Sequence, residues 1–124
     1  GLSYNTWPLM DGRFVPQWEH LAKLAPGWSN LLDNVTTVQF QHRMVGYLLL
    51  ALALVNFVVA LRAARGSKAC KRAGALFART LVQIGLGVAT LLTHVQIHTA
   101  LSHQALAMLV LGVAVANRRL LRAD

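Results

Sequence analysis

The sequence predicts an all-α integral membrane protein, in which three transmembrane helices follow an outer-face loop that contains short helices. Hydrophobic residues make up 56% of the 124 residues, and charged residues only 13%, about half of the ~25% that is usual in soluble proteins. The apolar residues are grouped in three long runs. Most of the basic residues stand beside these runs, as they do at the boundaries of membrane-spanning helices.

The composition also excludes other classes of protein. A disordered chain needs low hydrophobicity and much charge, and a disulfide scaffold needs several cysteines, whereas Cys70 is the only one. The net charge of +8 is compatible with a nucleic-acid binder. However, the basic residues cluster at the apolar runs: Arg62, Arg65, Lys68, Lys71, Arg72, Arg79, Arg118, Arg119 and Arg122. We therefore expect a lipid bilayer, and no nucleic acid, as their partner.

Residues 1–41 are predicted to form the outer loop. The loop contains all three tryptophans of the chain, and tryptophan favours the membrane–water interface. Residues 17–24, QWEHLAKL, have the pattern of a short amphipathic helix, and residues 30–34 predict a further turn. We expect an ordered cap that lies on the outer surface.

Residues 42–124 are predicted to form the membrane domain, with helices at about 42–63, 74–96 and 99–121. Between Arg43 and Arg62 there are eighteen residues without a formal charge. A helix of that length spans about 27 Å, close to the ~30 Å thickness of the hydrocarbon core. Glycines and alanines interrupt the apolar runs, and such small residues commonly mark close helix packing in membranes.

The basic residues also predict the orientation. Six of them lie within residues 62–79, and none lies in the turn at residues 94–103. The positive-inside rule therefore places residues 62–79 and the C-terminus on the cytoplasmic side, or on the matrix side in a mitochondrion. Residues 1–41 then lie outside.

Two histidines are predicted at similar depth near the outer ends of neighbouring helices. His42 lies twenty residues before Arg62 and His103 nineteen before Arg122, which correspond to about 30 Å and 28 Å of helix. Two imidazoles in this arrangement can hold a flat metallomacrocycle from both faces, since haem iron takes histidine as an axial ligand. In the alternative interpretation the histidines only anchor the helix ends.

The neighbours of the two histidines are compatible with a haem. Gly46 lies one helical turn below His42, and Ala107 one turn below His103. Such small residues leave room for a porphyrin plane. Arg43 is next to His42, where its guanidinium can pair with a haem propionate.

The remaining histidines give a weaker signal. His94 and His98 are spaced as a metal-binding pair on one helix face, and with His103 they make a candidate three-histidine site. Because no Cys, Asp or Glu lies nearby to complete it, we favour a polar helix end followed by a turn. His20 is expected to be exposed in the amphipathic segment.

Three segments carry a resemblance to a known family: GLSYNTWPLMDGRFVP, NVTTVQFQHRMVGY and SHQALAML. In this order and spacing they resemble the second half of the heme A synthase family. The resemblance implies a protein of eight transmembrane helices in two similar four-helix halves. This chain then supplies the outer loop after the fifth helix and three transmembrane helices of a four-helix haem-binding half-bundle, while the N-terminal half is missing.

The resemblance also implies a function and a set of site residues. The family oxidises a ring methyl of haem O to the formyl group of haem A for cytochrome oxidase biogenesis. In this half, His42 and His103 match the ligands of a haem b cofactor. The catalytic half has a glutamate where this chain has Gln39, so we expect this half to carry no catalytic residue and to be inactive alone.

The resemblance further implies partners and a location. Haem O and haem A are the expected substrate and product of the parent oxidoreductase, and haem O synthase and cytochrome oxidase assembly factors are candidate protein partners. The expected location is the bacterial inner membrane, with the mitochondrial inner membrane as the alternative. Two other functions stay open: a di-histidine membrane cytochrome that only carries electrons, and a cofactor-free assembly or scaffold subunit.

Overall fold

The long helices dominate the computed structural model, which describes residues 4–123, with side chains as far as Arg118. Within this range the chain forms helices and no strand. The elements are α1 (Trp18–Leu21), a 3-10 helix (Gly27–Leu31), α2 (Val35–Ala63), α3 (Lys68–Leu92) and α4 (Ile97–Ala123). Each of α2, α3 and α4 is long and apolar enough to cross a membrane. The predicted all-α membrane fold with three spans is therefore confirmed.

The three long helices begin earlier than the predicted starts at residues 42, 74 and 99. Two of these starts are set by capping side chains. Asn34 Oδ1 accepts a hydrogen bond from the backbone N–H of Thr36 (3.1 Å), and Ser67 Oγ accepts one from that of Cys70 (3.1 Å). Such caps satisfy the free N–H groups of a first turn. The apolar runs predict only the part of each helix that matches lipid, and the helices continue beyond it.

Helix α3 also ends earlier than predicted, at Leu92 instead of residue 96. His94 and Val95 adopt left-handed backbone conformations, with φ of 55° and 60°. A left-handed residue stops an α-helix and reverses the chain direction. The turn to α4 therefore occupies residues 93–96.

Helix α3 packs against both α2 and α4. At Gly74 the α2–α3 approach is close, because a β-carbon there would lie 2.9 Å from Phe57 Cε2. The Phe57 ring stacks on Phe77 of α3, with ring centroids 5.8 Å apart. The buried residues of α2 and α3 are small: Thr36, Thr37, Ala53, Cys70, Ala73 and Thr80. Small side chains of this kind let helix backbones approach closely in membranes.

The alternating direction of the helices gives the bundle two distinct ends. We call the end with the starts of α2 and α4 and the end of α3 the histidine end. The opposite end is the basic end, where Arg62, Arg65, Lys68 and Lys71 are exposed.

The N-terminal segment, residues 4–34, is fixed to the histidine end by hydrogen bonds. The Asn34 side chain is 1% exposed and donates to the carbonyl oxygens of His20 (2.9 Å) and Leu21 (3.1 Å) and to Asn30 Oδ1 (2.9 Å). Thr37 Oγ1 donates to the same Leu21 carbonyl at 2.7 Å. The segment is therefore ordered against the first turn of α2.

The short helices of this segment differ in detail from the prediction. The amphipathic helix predicted at residues 17–24 is a single turn, Trp18–Leu21. The turn predicted at residues 30–34 is part of the 3-10 helix and of the cap of α2. Short polar stretches form turns through local side-chain hydrogen bonds. The bounds of these short helices therefore depend on the hydrogen bonds of the Asn34 side chain, which we call the Asn34 network, more than on hydrophobic periodicity.

Candidate functional site

Two histidines from different helices meet at the histidine end. His42 lies in α2 and His103 in α4, and their ring centroids are 6.1 Å apart with an angle of 78° between the ring planes. Helices α2 and α4 run in the same direction, so residues at equal distance from their starts reach the same depth. The structure thus brings together the two histidines that the sequence predicts at similar depth.

The separation of the rings fits two axial ligands of one metal ion. A bond of about 2 Å from metal to each imidazole nitrogen puts the centroids of two opposed rings about 6 Å apart. Haem iron accepts histidine in this role. Two histidines at this centroid separation are therefore compatible with ligands of one metal ion.

The His103 ring is held by α3. Its Nδ1 lies 3.1 Å from the backbone carbonyl oxygen of Gln83 and 3.1 Å from the side-chain Nε2 of the same residue. That Nε2 also donates to the carbonyl oxygen of His103 at 2.9 Å. One turn further, a β-carbon on Gly87 would lie 2.8 Å from His103 Cε1. The His103 ring therefore occupies a space that exists because residue 87 is glycine.

Gln83 and Gly87 were missed by the sequence reasoning as site residues. A signal was present, because Gln83 is a strongly polar residue within an apolar run and Gly87 follows it by one helical turn. A polar residue inside a membrane span is expensive unless it has a partner. The sequence does not show which residue of the neighbouring helix is that partner.

His42 is in a more open environment. It is exposed and lines a groove of about 420 Å³ together with Leu32, Asp33, Val35, Val38 and Gln39. No hydrogen bond links its ring to another residue in the described part of the chain. Unlike His103, it is not held by a neighbouring helix.

Arg43 binds the backbone of the N-terminal segment. Its guanidinium donates to the carbonyl oxygens of Tyr4 (3.3 Å), Thr6 (2.9 Å), Pro8 (3.3 Å) and Leu9 (3.4 Å). These acceptors are neutral, and within residues 4–118 no carboxylate accepts a bond from this side chain. No carboxylate among the described residues therefore neutralises the guanidinium charge, although both terminal nitrogens already donate to carbonyl oxygens.

Gln39 makes a second link to the same segment. Its Nε2 donates to the Tyr4 carbonyl oxygen at 2.7 Å, while its Oε1 is buried without a hydrogen-bond partner among the described residues. Because Gln39 lies one turn before Arg43, both side chains hold the chain at Tyr4 against α2.

The two small residues predicted near the histidines lie in open positions. A β-carbon on Gly46 would meet no atom within 4 Å, and Ala107 is exposed. Each is one turn from its histidine, so neither blocks the space beside the two rings.

The other histidines do not join the pair. His94 lies in the turn after α3, where its Nδ1 contacts Asn5 Nδ2 at 2.8 Å, and His98 is exposed in the first turn of α4. The spacing of His94 and His98 had suggested one helix face, but the two residues lie in a turn and in a helix. His20 is exposed, and its Nδ1 lies 3.3 Å from the Tyr4 hydroxyl. No group of three metal-ligating residues occurs in the part of the chain that was described.

Comparison with known proteins assigns the chain to a family. The sequence model of the family described as cytochrome oxidase assembly protein matches residues 1–115. The chain belongs to this family. A family of membrane proteins agrees with the three apolar helices, and we conclude that the chain is a membrane protein.

Three curated relatives of the chain carry the same name. The chain is 51% identical over 120 residues to a heme A synthase of Methylobacterium sp. (strain 4-46), covering 97% of the chain and 33% of the relative. It is 50% identical to a heme A synthase of Beijerinckia indica (94% and 33%) and 51% identical to one of Rhizobium etli (96% and 32%). The chain thus spans about a third of the length of these relatives. No solved structure matches it.

Proposed function

We propose that this chain is the C-terminal, haem b-binding half of a heme A synthase, the oxidoreductase that converts haem O to haem A. The observation that carries the proposal is the His42–His103 pair, whose 6.1 Å separation suits two axial ligands. The relatives named heme A synthase support the reaction. The oxidation changes a ring methyl of haem O to a formyl group and serves cytochrome oxidase assembly.

The residues at the histidine end have different proposed roles in haem binding. His42 and His103 are the proposed ligands of the haem iron, and Gly46 and Ala107 leave space for the ring beside them. Arg43 is proposed to pair with a propionate while it holds the N-terminal segment. When bound, haem b supplies one-electron transfer, so this half relays electrons for the parent enzyme.

This half is proposed to lack the residue that oxidises the methyl group. Gln39 stands three residues before His42, and its amide donates to the Tyr4 carbonyl oxygen. An amide is not a general base, unlike a carboxylate. We therefore place the chemistry in another part of the parent protein and assign no catalytic residue to this chain.

The proposed setting is the inner membrane of a bacterium. The curated relatives described above are bacterial, and the exposed arginines and lysines of the basic end suit the cytoplasmic side. The histidine end and residues 4–34 then lie on the outer side. Haem O, haem A, the N-terminal half and, as protein partners, haem O synthase and oxidase assembly factors complete the proposed system.

The test is haem A production in a bacterial strain that lacks its own heme A synthase. The full-length protein that contains this segment is supplied on a plasmid, and extracted haems are separated and quantified. We expect haem A with the unchanged protein, and its loss with either His42→Ala or His103→Ala but not with His98→Ala. A b-type haem in the protein without any haem A would instead favour an electron-carrying cytochrome, and a colourless protein would favour a scaffold subunit.

A further inference from the structure

We propose that Gln83 and Gly87 of α3 form a seat that fixes the position of His103, so that its ring is presented as a ligand. The proposal rests on the function proposed above and deepens it. Gln83 and Gly87 are positioning residues in this account, because they act on the haem only through His103.

The first step of the argument is steric. A β-carbon at Gly87 would lie 2.8 Å from His103 Cε1, 3.4 Å from Nδ1 and 3.5 Å from Nε2. The whole edge of the imidazole therefore lies against the α3 backbone. By contrast, a β-carbon at Gly85, two residues earlier, would meet no atom within 4 Å. Of these two positions, only residue 87 must be glycine to leave room for the His103 ring.

The second step is the hydrogen bond at Nδ1. The Gln83 carbonyl oxygen and the Gln83 side-chain Nε2 each lie 3.1 Å from His103 Nδ1. The carbonyl can only accept and the amide N–H can only donate, so Nδ1 has a partner in either tautomer. When Nε2 is a metal ligand, Nδ1 carries the hydrogen, and the Gln83 carbonyl oxygen is placed to accept it. Carbonyl groups orient metal-binding histidines in this way in many proteins.

The third step concerns the Gln83 side chain. Its Nε2 donates to the His103 carbonyl oxygen at 2.9 Å, which ties the backbone of α4 to α3 at the same residue. The ring and its backbone are thus both fixed by Gln83. The environment of His42 is different, because it is exposed and faces an open groove.

The two proposed ligands differ, because α3 holds His103 whereas His42 is exposed, and this difference bears on the bound cofactor. The orientation of an axial histidine and the hydrogen bond at its Nδ1 tune the electronic properties of the bound iron. We therefore expect changes at Gln83 and Gly87 to alter the spectrum and the reduction potential of haem b. A residue with a purely structural role would change only the amount of protein.

The experiment compares five variants of the full-length protein in purified membranes: Gly87→Ala with its control Gly85→Ala, Gln83→Leu with its control Thr90→Val, and His103→Ala. The Thr90 hydroxyl donates to the carbonyl oxygen of Leu86 in its own helix, and among the described residues no hydrogen bond joins it to His42 or His103. Haem b per protein, the low-spin electron paramagnetic resonance signal and the midpoint potential are measured. We expect Gly87→Ala to lose most of the low-spin signal, and Gln83→Leu to shift the g values and the potential, with both controls unchanged.

The outcomes separate the seat from the function on which it rests. If His103→Ala keeps the b-type haem, the proposed function fails. If His103→Ala loses the haem while Gly87→Ala and Gln83→Leu keep the original spectrum and potential, the positioning role of Gln83 and Gly87 is wrong. The proposed function is then still supported.

A double variant covers the case in which Gly87→Ala does not accumulate in membranes. The steric conflict is with the imidazole, so His103→Ala combined with Gly87→Ala is expected to accumulate as well as His103→Ala alone. If accumulation is not restored, the steric part of the proposal is wrong.

Discussion

The ring centroids of His42 and His103 lie 6.1 Å apart, although all of α3 separates the two residues in the chain. Helix α3 makes this possible because it returns the chain to the histidine end and packs against both neighbours. It also holds one of the two rings through Gln83 and Gly87. The middle helix therefore contributes to the site although it contains neither histidine.

Replacement of Arg43 with methionine is expected to release the N-terminal segment. The guanidinium bonds four carbonyl oxygens, and a net loss of about 1.5 kcal/mol raises the opened fraction about tenfold. The measurement is the rate of trypsin cleavage at Arg13 in detergent-purified protein. Arg62→Met, at the exposed basic end, is the control, and equal cleavage rates in the two variants would contradict the account.

Asn34→Ala is expected to lower the stability of the α2 start. The variant loses the cap on Thr36 and the bonds to His20, Leu21 and Asn30. Together these losses amount to about 2 kcal/mol of unfolding free energy. Thermal unfolding followed by circular dichroism in detergent measures the effect. Asn56→Ala, an exposed asparagine of the same helix, should leave the midpoint unchanged, and a similar midpoint for both variants would count against the Asn34 network.

Gln39→Glu is expected to keep haem b but to loosen the N-terminal segment. Gln39 is not a proposed ligand, so the b-type spectrum should persist. A carboxylate cannot donate to the Tyr4 carbonyl oxygen, which now accepts from Gln39 Nε2 at 2.7 Å, so trypsin cleavage at Arg13 should be faster. The spectrum and the cleavage rate are compared with those of Gln41→Glu. Loss of the haem spectrum in Gln39→Glu alone would argue against the division of roles.

Gly74→Val is expected to destabilise the contact between α2 and α3. A β-carbon at Gly74 would lie 2.9 Å from Phe57 Cε2, and overpacking of this kind costs about 1–3 kcal/mol. The thermal midpoint should therefore fall, while Gly85→Val, in open space, should not change it. Phe57→Leu in the same chain should recover part of the loss, and a failure to recover would show that the close approach is not the cause.

The sequence predicts the apolar parts of the helices well, because hydrophobicity determines them. It predicts the helix ends less well, because single hydrogen bonds and turns determine those. The run between Arg43 and Arg62 predicts α2, but its start at Val35 depends on the Asn34 cap. The end of α3 at Leu92 depends on the left-handed turn at His94 and Val95, which hydrophobicity does not report.

The candidate site shows the same division. Similar distances from basic residues predict that His42 and His103 lie at similar depth, and helix geometry is sufficient for that step. Which residues of α3 contact His103 depends on the rotation of each helix about its axis, which the sequence does not give. The contacts of Arg43 with the N-terminal segment were likewise missed, because they involve backbone carbonyls that any sequence possesses.

The central claim is that His42 and His103 hold one haem b. A reduced-minus-oxidised absorption spectrum of the purified full-length protein tests it most directly, with His42→Ala and His103→Ala beside it and His98→Ala as the control. The account predicts that each of the first two changes abolishes one b-type signal, while the signal of the other haem site and the spectrum of His98→Ala persist. An unchanged spectrum in both His42→Ala and His103→Ala would show that these histidines are structural and would contradict the claim.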